Sequence, residues 1–468
     1  MINSTRRARR GSARGTHRSP YRRFLGYITA AAVALGVSMT TGAPTASAIP
    51  DTTDPFYTPP STLAQVPPGT ILRVREIQSS ALQLVPMQVR AWQLLYRTTD
   101  SEGNPYAAVT TALAGPGAPT AILSFNSMID AIAPDCMPSR TLRTGSGWLD
   151  PAKFGGPVIL STTANEAPMI AAGLQQGWVV SVPDLGGVQN RFLTPREPGY
   201  VALDGVRAVR NFTALGLPAD IPSLFWGYSG GGIATAWAAE LQPTYAPELN
   251  VAGMAVGAPV ADLATALYNG NGSPVAGLVG IGVAALRQDS PELAALVDRS
   301  TTPEGKHLID LAAASCTPQN LLNFMLRDVN TLLTVPLSDL VEHPITRGLL
   351  AERQLGRGAP TAPLYVYNAV DDELSTIASA DALVERYCGT GTPVTYRRDV
   401  IPSAVSAHVF GWGLGAPGAY AWLKERAAGP RPAGCDVRTM STPLSAPALG
   451  TLGPDYLAGL FAAITGVR

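Results

Sequence analysis

"LFWGYSGGG" occupies residues 224–232 and sets Ser229 among four glycines, Gly227, Gly230, Gly231 and Gly232. The pattern Gly-x-Ser-x-Gly carries little weight alone, because a chain with 47 glycines in 468 residues meets it readily by chance. The flanks decide. Ser223, Leu224, Phe225 and Trp226 form a short apolar run of strand type, and residues 233–241, IATAWAAEL, form an alanine-rich run of helix type. Strand, tight turn and helix is the setting in which this pattern holds a serine nucleophile on a strained elbow. In that setting side chains at Gly227 and Gly231 would collide across the turn.

Outward from the turn, apolar runs recur at 121–125, 178–184 and 251–257, and residues 200–215 place Val201, Val206, Val209 and Phe212 on one helical side. Further strand-like runs lie upstream at 71–77, 89–97 and 107–113. Strands that are apolar throughout and alternate with helices predict a mostly parallel sheet with helices on both faces, an α/β class. The alternation stops between 262 and 360. Leucine-rich helical segments take over there, at 278–286, 293–297 and 321–333; in the last, Leu322, Met325, Val329 and Leu332 recur at helical spacing. Strand character returns at 363–367 and 394–396. The chain therefore reads as a core in two parts, 49–261 and 361–435, a helical insertion at 262–360, and a tail at 436–468. No internal repeat is present.

Apolar residues make up 46% of the chain and charged residues 15%, which excludes a disordered chain and a nucleic-acid binder held by charge. The amino terminus differs from the rest. Eight arginines and no acid fall in the first 23 residues, an apolar stretch follows at 24–39, and Thr45-Ala46-Ser47-Ala48 ends the segment. Basic region, short apolar region and A-x-A-like site predict a signal peptide at 1–48, cut after Ala48. The apolar stretch falls short of the roughly 20 residues a membrane span needs, so no integral span is expected in the mature chain. Arg22-Arg23-Phe24-Leu25 leaves twin-arginine export open beside the general route. Removing eight of 34 basic residues leaves 26 against 34 acidic, a formal −8 that disfavours nucleic acid and anionic lipid as electrostatic partners. All four cysteines, Cys136, Cys316, Cys388 and Cys435, lie in the mature part. None is spaced Cys-x-x-Cys, and four cysteines in an exported chain predict two disulfides, with three pairings open.

A serine nucleophile needs a base to take its proton and a carboxylate to orient that base. On this architecture they follow in the order serine, acid, histidine. Of four histidines, His17 lies in the leader, and His307 and His343 lie in the insertion, where a polar helix face accounts for them. His408 remains, in a loop after the strand at 394–396 and before a helix-like run at 419–425. Among the aspartates between Ser229 and His408, Asp371 and Asp372 directly follow the strand at 363–367, at the sheet edge where catalytic groups converge. The residues alone leave the choice between them open, with the other and Glu373 then structural or exposed. Two backbone N–H groups must hold the oxyanion: one from Gly230, the second from the loop Asn126-Ser127-Met128-Ile129-Asp130. No His-Glu-x-x-His, Walker or dinucleotide motif is present, so neither metal nor cofactor is expected.

These segments resemble the secretory lipase family over most of the mature chain. "GYSGGGIATAWAAELQPTYAPELNVAGMAVGAP" (227–259) is similar to its nucleophile segment, "SFNSMIDAIAPDCMPS" (124–139) to its oxyanion segment, "NAVDDELS" (368–375) to its acid loop, and "AHVFGWGLGAPGAYAWL" (407–423) to its base loop. The resemblance implies an α/β-hydrolase fold with a helical lid at 262–360 and a flap after Cys435. It assigns the acid to Asp372 and the second oxyanion donor to Asp130, and it pairs Cys136 with Cys316 and Cys388 with Cys435. The chain departs from the pattern at Ser375-Thr376, where the family usually carries a proline. The activity implied is that of a secreted lipase with an ester or lipid substrate, met at a transient lipid–water interface. Short-chain carboxylesterase or polyester hydrolase is the alternative with the same triad, and a non-catalytic binding protein on a hydrolase scaffold is the alternative of another class.

Overall fold

The computed structural model describes residues 54–143, 161–401 and 405–467. The leader reading at 1–48 lies outside the described residues. So does part of the loop before His408.

Ten strands form one sheet in the order β1-β4-β5-β7-β6-β8-β9-β10-β11-β12. They are β1 (Ile71–Glu76), β4 (Arg90–Thr99), β5 (Pro105–Ala114), β6 (Ile122–Asn126), β7 (Val179–Pro183), β8 (Ser223–Tyr228), β9 (Val251–Gly257), β10 (Leu364–Ala369), β11 (Val394–Asp399) and β12 (Cys435–Met440). β2 (Ser80–Ala81) and β3 (Val85–Pro86) make a separate small hairpin. From β7 to β12 every neighbouring pair is parallel, whereas β1, β4, β5 and β7 pair antiparallel. The α/β-hydrolase class expected from the sequence is the observed one.

The central strands are buried along their whole length, which is why they read as apolar throughout rather than alternating. Their side chains still alternate between two cores. Phe225 joins a core under the helices Glu197–Asn211, Gly230–Tyr245 and Ile377–Gly389. Leu224, Trp226 and Tyr228 join the opposite core, under Ala167–Gln175 and Ala407–Ala428. Helix Ala407–Ala428 starts well before the 419–425 run that its sequence suggests. Glycines and Pro417 weaken its helical pattern, but Gly411 and Gly415 let it lie on Tyr228 and Tyr367, where a Cβ would come within 2.6 and 2.5 Å of those side chains. The tail contributes β12 to the sheet edge and the helix Ala458–Thr465, which packs on Ala167–Gln175.

Between β9 and β10 the chain forms seven helices, from Leu263–Gly270 to Pro344–Glu352, around their own apolar cluster. The glycine-rich helix Ala276–Asp289 packs closely on Thr317–Phe324: a Cβ on Gly277 would lie 2.3 Å from the Asn320 carbonyl. The stripe expected over 321–333 does not form. The helix stops at Phe324, Met325 leaves helical geometry at φ −47° and ψ 124°, and Leu326 takes φ +59°. Leu322 and Met325 are left about half exposed, while Val329 and Leu332 are buried in a separate 3-10 turn.

Candidate active site

Ser229 sits between β8 and helix Gly230–Tyr245 with φ +53° and ψ −119°, a conformation that costs an L-residue of order 1–3 kcal/mol and persists only where its surroundings over-determine it. The surroundings here are backbone. Ser229 N–H donates to Gly257 C=O at 2.9 Å. A Cβ on Gly227 would strike the Gly231 carbonyl at 2.0 Å, and one on Gly231 would strike the Asn126 carbonyl at 1.9 Å. The two glycines therefore serve different contacts, one across the turn and one against the end of β6, rather than a single mutual clash.

Three side chains meet at this edge of the sheet. Ser229 Oγ lies 2.8 Å from His408 Nε2. His408 Nδ1 lies 2.9 and 3.0 Å from the two Asp372 carboxylate oxygens. All three residues are buried. Asp372 Oδ1 also accepts the N–H groups of Leu374 and Ser375, at 2.9 and 2.7 Å, so the carboxylate is held by its own loop. Asp371 is exposed and makes none of these contacts. Burial alone would push the His408 imidazole down, but the Asp372 carboxylate, with Glu373 and Asp130, carries the net shift upward.

Two supports were not legible as such in the sequence. Glu373 accepts the His408 N–H at 3.2 Å and the Ser406 hydroxyl, so it fixes the start of helix Ala407–Ala428 while Asp372 holds the imidazole. His408 accordingly stands in the first turn of that helix, not in a loop. Tyr228 donates its hydroxyl to the His408 carbonyl at 2.6 Å. A carboxylate one residue beyond the acid could have been flagged by its place alone; the tyrosine, on a buried strand, could not.

Asp130 adjoins Gly230 and has φ +41°; a Cβ on Gly230 would fall 1.8 Å from Asp130 Oδ1. That oxygen is buried and has no hydrogen-bond partner among the described residues, and burial pushes the Asp130 carboxyl up to about 7. Under the same loop Glu166 accepts from the Ser127 hydroxyl and from Met128 N–H at 3.4 Å, with its own carboxyl pushed by burial up to about 8. Cys136 is joined to Cys316, and Cys388 to Cys435, with Cα separations of 5.4 and 6.0 Å. The first bond ties the loop after β6 to the insertion; the second ties helix Ile377–Gly389 to β12.

A pocket opens beside Ser229 and Asp130 and is walled by Leu263, Leu278, Val279 and Leu374. A second lies within the insertion, and its lining is almost entirely apolar. Leu267, Val279 and Leu286 line both.

Sheet, elbow and insertion together define an α/β-hydrolase. More narrowly, the chain belongs to the secretory lipase family, whose family model matches residues 152–434. It is 35% identical over 386 residues to lipase A of Arthroderma benhamiae, covering 81% of this chain and 80% of the relative. It is 40% identical over 380 residues to a protein of Mycobacterium tuberculosis named a probable inactive lipase, covering 80% and 82%. Among solved structures it resembles Candida antarctica lipase A in its closed state, with a TM-score of 0.73, 26% identity, and coverage of 88% of this chain and 96% of that one. Membership supports carboxylic ester hydrolysis as the chemistry of the fold. No helix among the described residues is long and apolar enough to cross a membrane.

Proposed function

We propose that this protein is a secreted serine ester hydrolase, a lipase acting on triacylglycerols or medium- and long-chain carboxylic esters. The observation that carries the reading is the hydrogen-bonded order Ser229, His408, Asp372 opening onto an apolar cavity. A family relative named inactive makes activity a matter for these side chains rather than for kinship. In the reading, Ser229 Oγ attacks the ester carbonyl as His408 Nε2 takes its proton. Asp372 orients the imidazole and stabilises the imidazolium. The N–H groups of Gly230 and Asp130 hold the tetrahedral oxyanion. His408 returns the proton to the departing alcohol as the ester C–O bond breaks, and water then attacks the acyl-enzyme by the same route. Export through the 1–48 leader accords with two disulfides in so few cysteines.

The insertion at 262–360 is read as the cover of the site and as the acyl pocket. Each CH₂ buried in such a pocket should add about 0.8 kcal/mol, near fourfold in kcat/KM, until the cavity ends. The shared wall of Leu267, Val279 and Leu286 favours the second reading, a short-chain esterase, if it stays closed to the acyl chain. Rates on p-nitrophenyl esters from acetate to palmitate decide between them. A rise with length supports the lipase; a steady fall from acetate onward removes it. Labelling by a fluorophosphonate at Ser229 tests the enzyme against a binding protein on the same scaffold, for which no label is expected.

A further inference from the structure

Thr317 is the first residue of helix Thr317–Phe324, in the insertion, and follows the disulfide-bonded Cys316. It is buried, and its hydroxyl lies 2.5 Å from the Ile129 carbonyl and 2.7 Å from the Asp130 carbonyl. A threonine hydroxyl has one proton to donate, so it is shared between these two acceptors. They are the carbonyls of the two peptide units that flank the Asp130 Cα. The trans peptide is planar, with its C=O and N–H pointing in opposite directions. Holding the Ile129 carbonyl therefore aims the Asp130 N–H away from Thr317. Holding the Asp130 carbonyl fixes the other side of the same residue. Asp130 needs this support, because its φ of +41° is unfavourable for a residue with a side chain. The loop is already tight, with Ile129 N–H donating to Ser127 C=O at 2.9 Å. Glu166 braces Ser127 and Met128 from the core, so that side of the loop is held by the body and the Ile129–Asp130 side by the insertion.

We propose that Thr317 is a positioning residue for oxyanion stabilisation: its hydroxyl sets the Ile129–Asp130 peptide so that the Asp130 N–H faces the developing oxyanion. The inference rests on the reading of Asp130 and Ser229 given above. It makes the helical insertion part of the catalytic apparatus at this corner, where the Cys136–Cys316 bond keeps Thr317 within reach.

The test compares the parent with Thr317→Val, which keeps the shape and removes the hydroxyl, and Thr317→Ser, which restores it. Readouts are kcat and KM on one p-nitrophenyl ester, the second-order rate of inactivation by a fluorophosphonate, and the thermal midpoint. Complete loss of an oxyanion donor costs about 10²–10³-fold in kcat, so a misaimed one should cost about 10–100-fold. Thr317→Val is expected to show that loss with KM nearly unchanged, with the fluorophosphonate rate falling in parallel. Thr317→Ser should recover most of both. If Thr317→Val does not fold, Thr317→Ala serves with the same expected outcome. Unchanged kcat in the hydroxyl-free variant overturns the inference, as does a rise in KM alone or a loss that serine fails to recover. A parent that neither turns over ester nor takes the label overturns the underlying reading and this inference with it; a parent that does both, with Thr317→Val unaffected, overturns the inference only.

Discussion

The sheet edge and the helical insertion solve different packing problems. At the carboxyl ends of β6, β8 and β9, four residues with side chains, Asp130, Ser229, Ala258 and Val260, hold positive φ within a buried setting. In the insertion, among the described residues, only Leu326 among the non-glycine residues does so, and it is exposed. At Ser229 the strain is enforced by close backbone approaches around Gly227 and Gly231, and at Asp130 and Val260 side-chain hydroxyls of Thr317 and Ser375 hold the neighbouring backbone. The strain at Leu326 merely ends a helix. One region is over-determined and aims groups; the other is a set of short helices whose apolar faces need only find cover.

The hardest way to break this contrast is to remove the hydroxyl at the elbow. Ser229→Ala should lower kcat/KM by at least about 10⁴-fold while leaving the thermal midpoint close to that of the parent. Near-normal turnover would mean that the strain there has no catalytic purpose. Asparagine at the acid position comes next. Asp372→Asn should cost about 10⁴-fold by favouring the wrong imidazole tautomer, whereas Asp371→Asn, on an exposed side chain, should stay within about threefold. Parallel kinetics of the two variants check this, and a larger loss at 371 would reverse the assignment.

A smaller effect concerns stability and pH. The Glu166 carboxyl is raised in the folded chain from 4.5 to about 8 by burial. Between these values the folded state keeps a proton that the unfolded state has released, so its contribution is full below about 4.5 and declines as pH rises towards 8. Glu166→Gln removes the titration. The thermal midpoint of the variant, plotted relative to the parent, should therefore climb across that window; a flat difference would place Glu166 outside the pH response. The smallest effect belongs to the insertion's surface. Leu322→Gln with Met325→Gln should change stability by no more than about 0.5 kcal/mol per site, as for surface positions generally. A loss of about 2–5 kcal/mol, as for a packed stripe, would show by denaturant titration that these residues are covered in solution.

Much was legible from residue type and order. Apolar runs alternating with helical spacing determined the α/β class, since strands covered on both faces must be apolar throughout. The elbow was readable because its glycines answer a local steric need, and chain order singled out His408 by elimination. The family resemblance, not spacing, separated Asp372 from Asp371 and paired the cysteines. Tertiary structure alone decided the rest. Helix Ala407–Ala428 forms early because its glycines meet Tyr228 and Tyr367 on the sheet, a contact no local propensity encodes. The 321–333 stripe fails because its helix ends at Phe324, which packs against Gly280 of another helix. Glu373, Tyr228, Glu166 and Thr317 reach partners 33 to 188 residues away. Periodicity along a chain reports which face of an element is covered; it carries no information on which distant backbone group a buried hydroxyl or carboxylate will reach, because that is fixed only when the elements pack.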